Sequence, residues 1–395
     1  MKPAFIIGLF LLSTASALPI TSSIPKAIAQ TPNPSLKSAE EYFYRGLSYH
    51  QQGKFDLALA DYNRAIELNP NDAQAYYNRG VLYDEQGKDE QALADYERAI
   101  ELNPNDARAY NNRGNLYNEQ GEGDLALADY NRAIELDSNL ALAYNNRGNL
   151  YNEQGKNDLA LADYERAIEL NPNDALAYYN RGLVYDEQGK DDLALADYEQ
   201  AIELDPNYAR AYYDRGVLYY EQGKDDLAFS DLNRAIELDP NNARAYNNRG
   251  FLYQEQGKND LALADYERAI KLDLNYASAY NNRGAFYYEQ EKYEQALADF
   301  NRAIELNPND AQAYNNRGGF YYEQEKYEQA LADLNRAIEL DPNDAQAYHN
   351  RGLVYQEQGK TNLFVADLET AKQLYIEQSN TAGAEKIDNH LQNTP

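Results

Sequence analysis

Residues 73–106 read AQAYYNRGVLYDEQGKDEQALADYERAIELNPND, and close copies of this stretch follow one another ten times without an insertion. Its Arg-Gly pair recurs at Arg45, Arg79, Arg113, Arg147, Arg181, Arg215, Arg249, Arg283, Arg317 and Arg351, a strict step of 34 residues. A fixed period of this size belongs to a solenoid, in which each repeat buries its apolar face only against its neighbours. The repeats run from Ala39 to Gln378, with boundaries at 39–72, 73–106, 107–140, 141–174, 175–208, 209–242, 243–276, 277–310, 311–344 and 345–378.

Within the quoted stretch, Tyr76, Gly80 and Tyr83 stand four and three residues apart and therefore share one helical face. A second helix follows, with mostly apolar residues at the nineteenth, twentieth, twenty-fourth and twenty-seventh positions of the repeat. Here those are Ala92, Tyr96 and Ala99, with Gln91 the exception. Gly87 supplies a residue that can turn left-handed and end the first helix. After the second helix, Pro104 halts the chain and Asp106 caps the next helix. Each repeat is predicted to be a helical hairpin.

Tyr76, Gly80, Tyr83, Gly87, Ala92, Tyr96, Ala99 and Pro104 together resemble the tetratricopeptide repeat, and the likeness covers all ten copies. It implies an all-α, right-handed α-solenoid (superhelix) of ten helix-turn-helix repeats, its concave wall lined by first helices. Some positions depart from the pattern. Ser138 and Leu274 replace the proline, and Leu232, Leu334 and Leu368 replace the second-helix aromatic. Position seventeen, usually aromatic in the family, is Asp89, Gly123, Asn157, Asp191, Asp225 and Asn259 in repeats two to seven. Repeats eight and nine restore Tyr293 and Tyr327 but put Glu291 and Glu325 where the turn glycine stands. Residues 379–395 follow the tenth repeat, and Ala384, Ile387 and Leu391 on one face suit a capping helix.

The formal charge is -29, which repels nucleic acid and anionic membranes over most of the surface and leaves neutral or basic proteins as partners. Lys2, the apolar run Ala4 to Leu12 and the Ala-x-Ala triplets ending at Ala17 and Ala29 read as an export signal, 1–29, followed by a linker, 30–38. Its removal after Ala29 leaves no transmembrane segment, and the expected location is the periplasm or the extracellular side of a cell envelope. Cysteine is absent, and His50, His349 and His390 are far apart in the sequence, so no cofactor, metal or catalytic constellation is expected.

Arginine at the seventh position, where the family commonly has leucine, is matched sixteen residues on by aspartate in every repeat. Structural pairs such as Arg79–Asp95, Arg147–Asp163 and Arg249–Asp265 explain the recurrence better than an anion-binding ladder. On this reading leucine is tolerated better at Arg147 than at Asp163. Functional residues are sought on the concave wall. Asn78, Asn112, Asn146, Asn180, Asn248, Asn282, Asn316 and Asn350 occupy the sixth position, where the resemblance implies gripping of a peptide backbone; bonding to a neighbouring helix is the competing role. Asn111, Asn115 and Asn118, then Asn145, Asn149 and Asn152, point the same way from repeats three and four, with Tyr77, Tyr179 and Tyr213 as aromatic anchors. Glutamate at the thirteenth position of repeats two to ten adds an acidic rim. The expected function is a non-catalytic scaffold holding an extended peptide or partner helix. The alternative is a positioning subunit of an envelope glycan-synthesis or export complex.

Overall fold

The structure, a computed structural model, describes residues 38–392; the expected signal peptide and nearly all of the linker lie outside them. The described residues form twenty-one α-helices and no strand. They fall into two compact halves, divided between Pro206 and Asn207. Each half is a stack of helical hairpins, the all-α solenoid architecture.

Repeat two shows the local logic. Its first helix spans Ala73–Asp84 and starts at Asp72, whose carboxylate accepts from the Gln74 and Ala75 amides. These are donors that a helix start otherwise leaves unpaired. Gly87 then turns the chain at φ 64, and the second helix runs Asp89–Leu102. Pro104 follows two residues later and cannot continue it. Repeats eight and nine make the same turn with Glu291 and Glu325, both at φ 57, a conformation that strains any residue with a Cβ. Repeats four, six and eight start their first helices after Leu140, Tyr208 and Tyr276, without a side-chain cap.

The core lies between the helices of each hairpin. Gly148 shows the required closeness: a Cβ added there would sit 2.8 Å from the Tyr164 ring. Tyr164 and its equivalents Tyr62, Tyr96, Tyr130, Tyr198 and Tyr266 are fully or almost fully buried. Their phenols still find acceptors, Asp84 for Tyr96, Asn115 for Tyr130, Asn149 for Tyr164 and Gln254 for Tyr266, at 2.8–3.1 Å. Tyr293 and Tyr327 pack on Tyr288 and Tyr322, restoring the hairpin contact that repeats two to seven lack. The nineteenth position departs from its apolar pattern. Leu57, Leu125, Leu159, Leu193, Leu227, Leu261 and Leu363 are about half exposed rather than packed in the core.

The last helix, Thr381–Gln392, covers the second helix of repeat ten, Thr361–Glu377, through Ala384 and Ile387. His349 Nε2 lies 3.0 Å from His390 Nδ1, and burial with the nearby Lys386 charge pushes His349 down to about 4.

Candidate functional site

The recurring arginine is held on three sides. Arg147 sends Nε and Nη2 to the two oxygens of Asp163, each at 2.7 Å, and its guanidinium lies 5.6 and 5.8 Å from the Tyr144 and Tyr151 ring centres. The third nitrogen, Nη1, reaches back to Asn131 Oδ1 of the preceding repeat at 2.7 Å. Arg79 does the same with Asp95 and Asn63, and Arg249 with Asp265 and Asn233. Where the twenty-fifth position is glutamate, as at Glu97, Glu165 and Glu267, the carboxylate raises the next repeat's Arg113, Arg181 or Arg283 through its charge, without a hydrogen bond to it. Where asparagine precedes it, the fork thus joins hairpin to hairpin as well as helix to helix. No guanidinium donor set is left over for an anion ladder at Arg79, Arg147 or Arg249.

The asparagine ladder is placed inside the stack, not on an open groove. Asn78, Asn112, Asn146, Asn180, Asn248, Asn282, Asn316 and Asn350 are all buried. Each from Asn112 on donates Nδ2 to the fifth-position side chain of the repeat before it. Asn112 and Asn248 reach the hydroxyls of Tyr77 and Tyr213 at 3.3 and 3.2 Å. Asn146, Asn180, Asn282, Asn316 and Asn350 reach Asn111, Asn145, Asn247, Asn281 and Asn315 at 2.9–3.1 Å. Asn78 has Phe43 at that place and turns to its own Gln74 carbonyl.

The asparagines of repeats three and four complete this network. Asn115 Oδ1 accepts from both Asn146 Nδ2 and the Tyr130 hydroxyl, and Asn149 Oδ1 from both Asn180 and Tyr164. Asn111 donates to Asn112, Asn145 and Asn152 are buried, and half-buried Asn118 bonds Glu153 at 3.2 Å. Tyr77, Tyr179 and Tyr213 are likewise buried. The physical reason is that a buried amide must be hydrogen-bonded, and the nearest donors and acceptors belong to the adjacent first helix. The 35-residue offset from the fifth position to the next repeat's sixth was present in the sequence, because tyrosine or asparagine stands at the fifth position of every repeat from two to nine and asparagine at the next sixth position, except that aspartate replaces that amide at Asp214.

Exposed chemistry remains on the first helices at the twelfth and thirteenth positions. Burial pushes Asp84 up to about 6, against the Tyr96 hydroxyl that donates to it, with Asp89 and Glu85 adding repulsion. Burial also raises Glu119, Glu153 and Glu187. Among the described residues no cluster of three or more potential ligands is arranged for a metal ion, and no helix is long and apolar enough to cross a membrane.

In the C-terminal half, the starts of three successive first helices and the last helix enclose a cavity of about 860 Å³. Its size is that of a ligand pocket, about 300–1,000 Å³. Asn281, Asn282, Asn309, Gln312, Asn343 and Lys386 are among its walls. Asn282 Oδ1 is buried and has no hydrogen-bond partner. Asp310 and Asp344 on the same wall are raised by burial, although helix-start amides donate to them.

Family models described as TPR repeat match residues 46–87, 114–155, 148–189, 185–223, 216–257 and 318–359. Models described as tetratricopeptide repeat match 73–106, 243–276, 277–310, 95–128, 300–332 and 345–375. Among solved structures, the APC/C hetero-tetramer Cut9-Hcn1 is similar at 17% identity and TM-score 0.55, over 91% of this chain and 78% of that chain; the likeness extends to the fold alone. YrrB, described as a TPR protein with an unusual peptide-binding site, is 31% identical over 47% of this chain and 95% of its own, with a TM-score of 0.38. Yeast Tom70 is 18% identical over 90% of this chain and 96% of its own, with a TM-score of 0.44. No curated protein matches the chain.

Proposed function

Because the chain belongs to the tetratricopeptide-repeat family, we propose that it is a non-catalytic protein-interaction scaffold that holds an extended segment of a neutral or basic partner. The observation that carries this reading is the cavity in the C-terminal half. Nearly half of its wall residues are asparagine or glutamine, a residue type able to donate and accept, which suits the alternating groups of an extended backbone. Asp310, Asp341 and Asp344 on the same wall as Lys386 favour a segment without excess negative charge. The rest of the buried asparagine ladder then serves as the frame that fixes these helices, with Asn282 its one member in the cavity wall.

The test is a peptide array probed with the full chain, followed by anisotropy titration of the best-binding peptide. Asn309→Ala, Gln312→Ala and Asn343→Ala together should weaken that peptide at least tenfold with helical content unchanged. Unaltered affinity would remove the cavity as the site. An array that captures no peptide above background would remove the peptide-scaffold reading itself.

A further inference from the structure

The second helices carry a feature that the peptide cavity does not use. In the N-terminal half, Leu125, Leu159 and Leu193 stand at one register of three successive repeats and are 48%, 50% and 49% exposed. One turn on, Ala128, Ala162 and Ala196 are also exposed and share the same helical face. Isolated surface leucines need no explanation, but a leucine–alanine pair repeated in three successive hairpins makes an apolar ridge.

The ridge is not required for folding. At the same register the chain itself carries Gln91, Gln295 and Gln329, all exposed, in hairpins with the same helix pattern. Leucine is therefore a choice of these repeats and not a demand of the hairpin. The charge at its start is acidic, while Arg132 and Arg166, one turn beyond the alanines, are paired with Glu135 and Glu169. Exposed Asp124, Asp158 and Asp192 immediately precede the three leucines, joined by Glu122 and Asp191. Lysines at the hairpin turn face elsewhere: Lys156 Nζ bonds Gln154 at 2.7 Å and lies over the Tyr151 ring, and Lys190 lies over Tyr185. A second copy of so acidic a chain would be repelled, whereas a cationic partner would be steered in.

We propose that the leucine ridge of repeats three to five is a second docking surface, separate from the cavity, for a cationic amphipathic helix of a partner protein. The leucines and alanines meet the partner's apolar face, and the aspartates pair with lysine or arginine at its flanks.

The probe is an 18-residue lysine–leucine peptide with leucines three and four apart, titrated against the full chain by anisotropy. A peptide of the same composition with scrambled leucine spacing serves as control. Leu125→Gln, Leu159→Gln and Leu193→Gln together should weaken the probe at least tenfold while circular dichroism stays unchanged. Asp124→Asn, Asp158→Asn and Asp192→Asn together should weaken it and flatten its salt dependence. The proposal is overturned if the triple glutamine variant binds within twofold of the parent, if the scrambled peptide binds equally well, or if the parent does not bind the probe. Neither triple variant touches the cavity, so the array-selected peptide must bind both as it binds the parent.

Discussion

Replacing Arg147 with leucine removes one fork and leaves its partner in place. Asp163 is the deeper member, with 8% of its side chain exposed against 19% for Arg147. The stranded carboxylate must stay ionised in a poorly solvated site or take up a proton. Protonation at pH 7 costs up to about 4 kcal/mol, from about 1.4 kcal/mol per pH unit over roughly three units. Two ring contacts, about 0.5–1 kcal/mol each, and the Asn131 bond are also lost. Burial of the new leucine returns about 1–2 kcal/mol. The net cost is about 3–4 kcal/mol. Asp163→Leu is milder, because Arg147 keeps Asn131, both rings and its access to water. Its cost is about 2 kcal/mol, from two charge-assisted bonds partly replaced by solvent.

The geometry thus reverses the order expected from the commonness of leucine at the arginine position. Long repeat arrays do not unfold as one cooperative unit, so the measurement is native-state hydrogen exchange of amides in Ala141–Glu153 and Asn157–Leu170. Arg147→Leu should lower local protection more than Asp163→Leu at pH 7, and the gap should close toward pH 4 as the stranded carboxylate is neutralised. If Asp163→Leu is the more damaging change at pH 7, or if acid brings Arg147→Leu no relief, the reasoning fails.

Two further outcomes follow from backbone and charge. Glu291→Gly and Glu325→Gly relieve residues held at φ 57 and should each stabilise their hairpin by about 0.5–1 kcal/mol, read as slower local amide exchange in that hairpin; faster exchange would show that these turns are not strained. Asp84 is raised from 3.8 to about 6, so between about pH 4 and 6 the native state binds more protons than the unfolded chain, and stability falls as pH rises through that window. Asp84→Asn, which still accepts from the Tyr96 hydroxyl, should stabilise by about 1 kcal/mol at pH 7 after allowance for solvent screening, and not at all at pH 4. Denaturant titrations at the two pH values decide it, and a loss of stability on Asp84→Asn at pH 7 would refute the sign.

The hairpins were legible because their determinants are local. Gly87, Pro104 and Asp106 mark turns and caps by their own backbone chemistry, and the tyrosine, glycine and alanine spacings mark helical faces. The Arg–Asp fork was legible through its fixed sixteen-residue offset. The burial of Asn112 and Asn146 was not, because an amide is equally suited to an open groove and a dry interface. Only the position of the neighbouring first helix, which puts Tyr77 and Asn111 within hydrogen-bond reach, decides between them. The exposure of Leu125 escaped for a related reason. Hydrophobicity marks a residue as worth burying, but the outward angle of the second helix's first turn is a property of the stack. The cavity beside Lys386 needs the last helix in place before it exists, and no single repeat encodes it.

The arginine fork has one more consequence, for how such a chain can change length. Its backward-reaching nitrogen bonds asparagine in some repeats, as at Asn131, while in others, as at Glu165, a carboxylate acts on the arginine through its charge alone. The bidentate Arg–Asp pair lies within one repeat and neither asparagine nor glutamate repels a guanidinium, so any repeat's second helix can precede any repeat's first helix without setting a like charge against the fork. A deletion or duplication of one 34-residue block would bring Asn63 next to Arg113, or Glu97 next to Arg147, and neither joint sets like charges together. Gene-level gain and loss of whole repeats therefore leaves each remaining Arg–Asp pair intact, and the number of hairpins is free to vary.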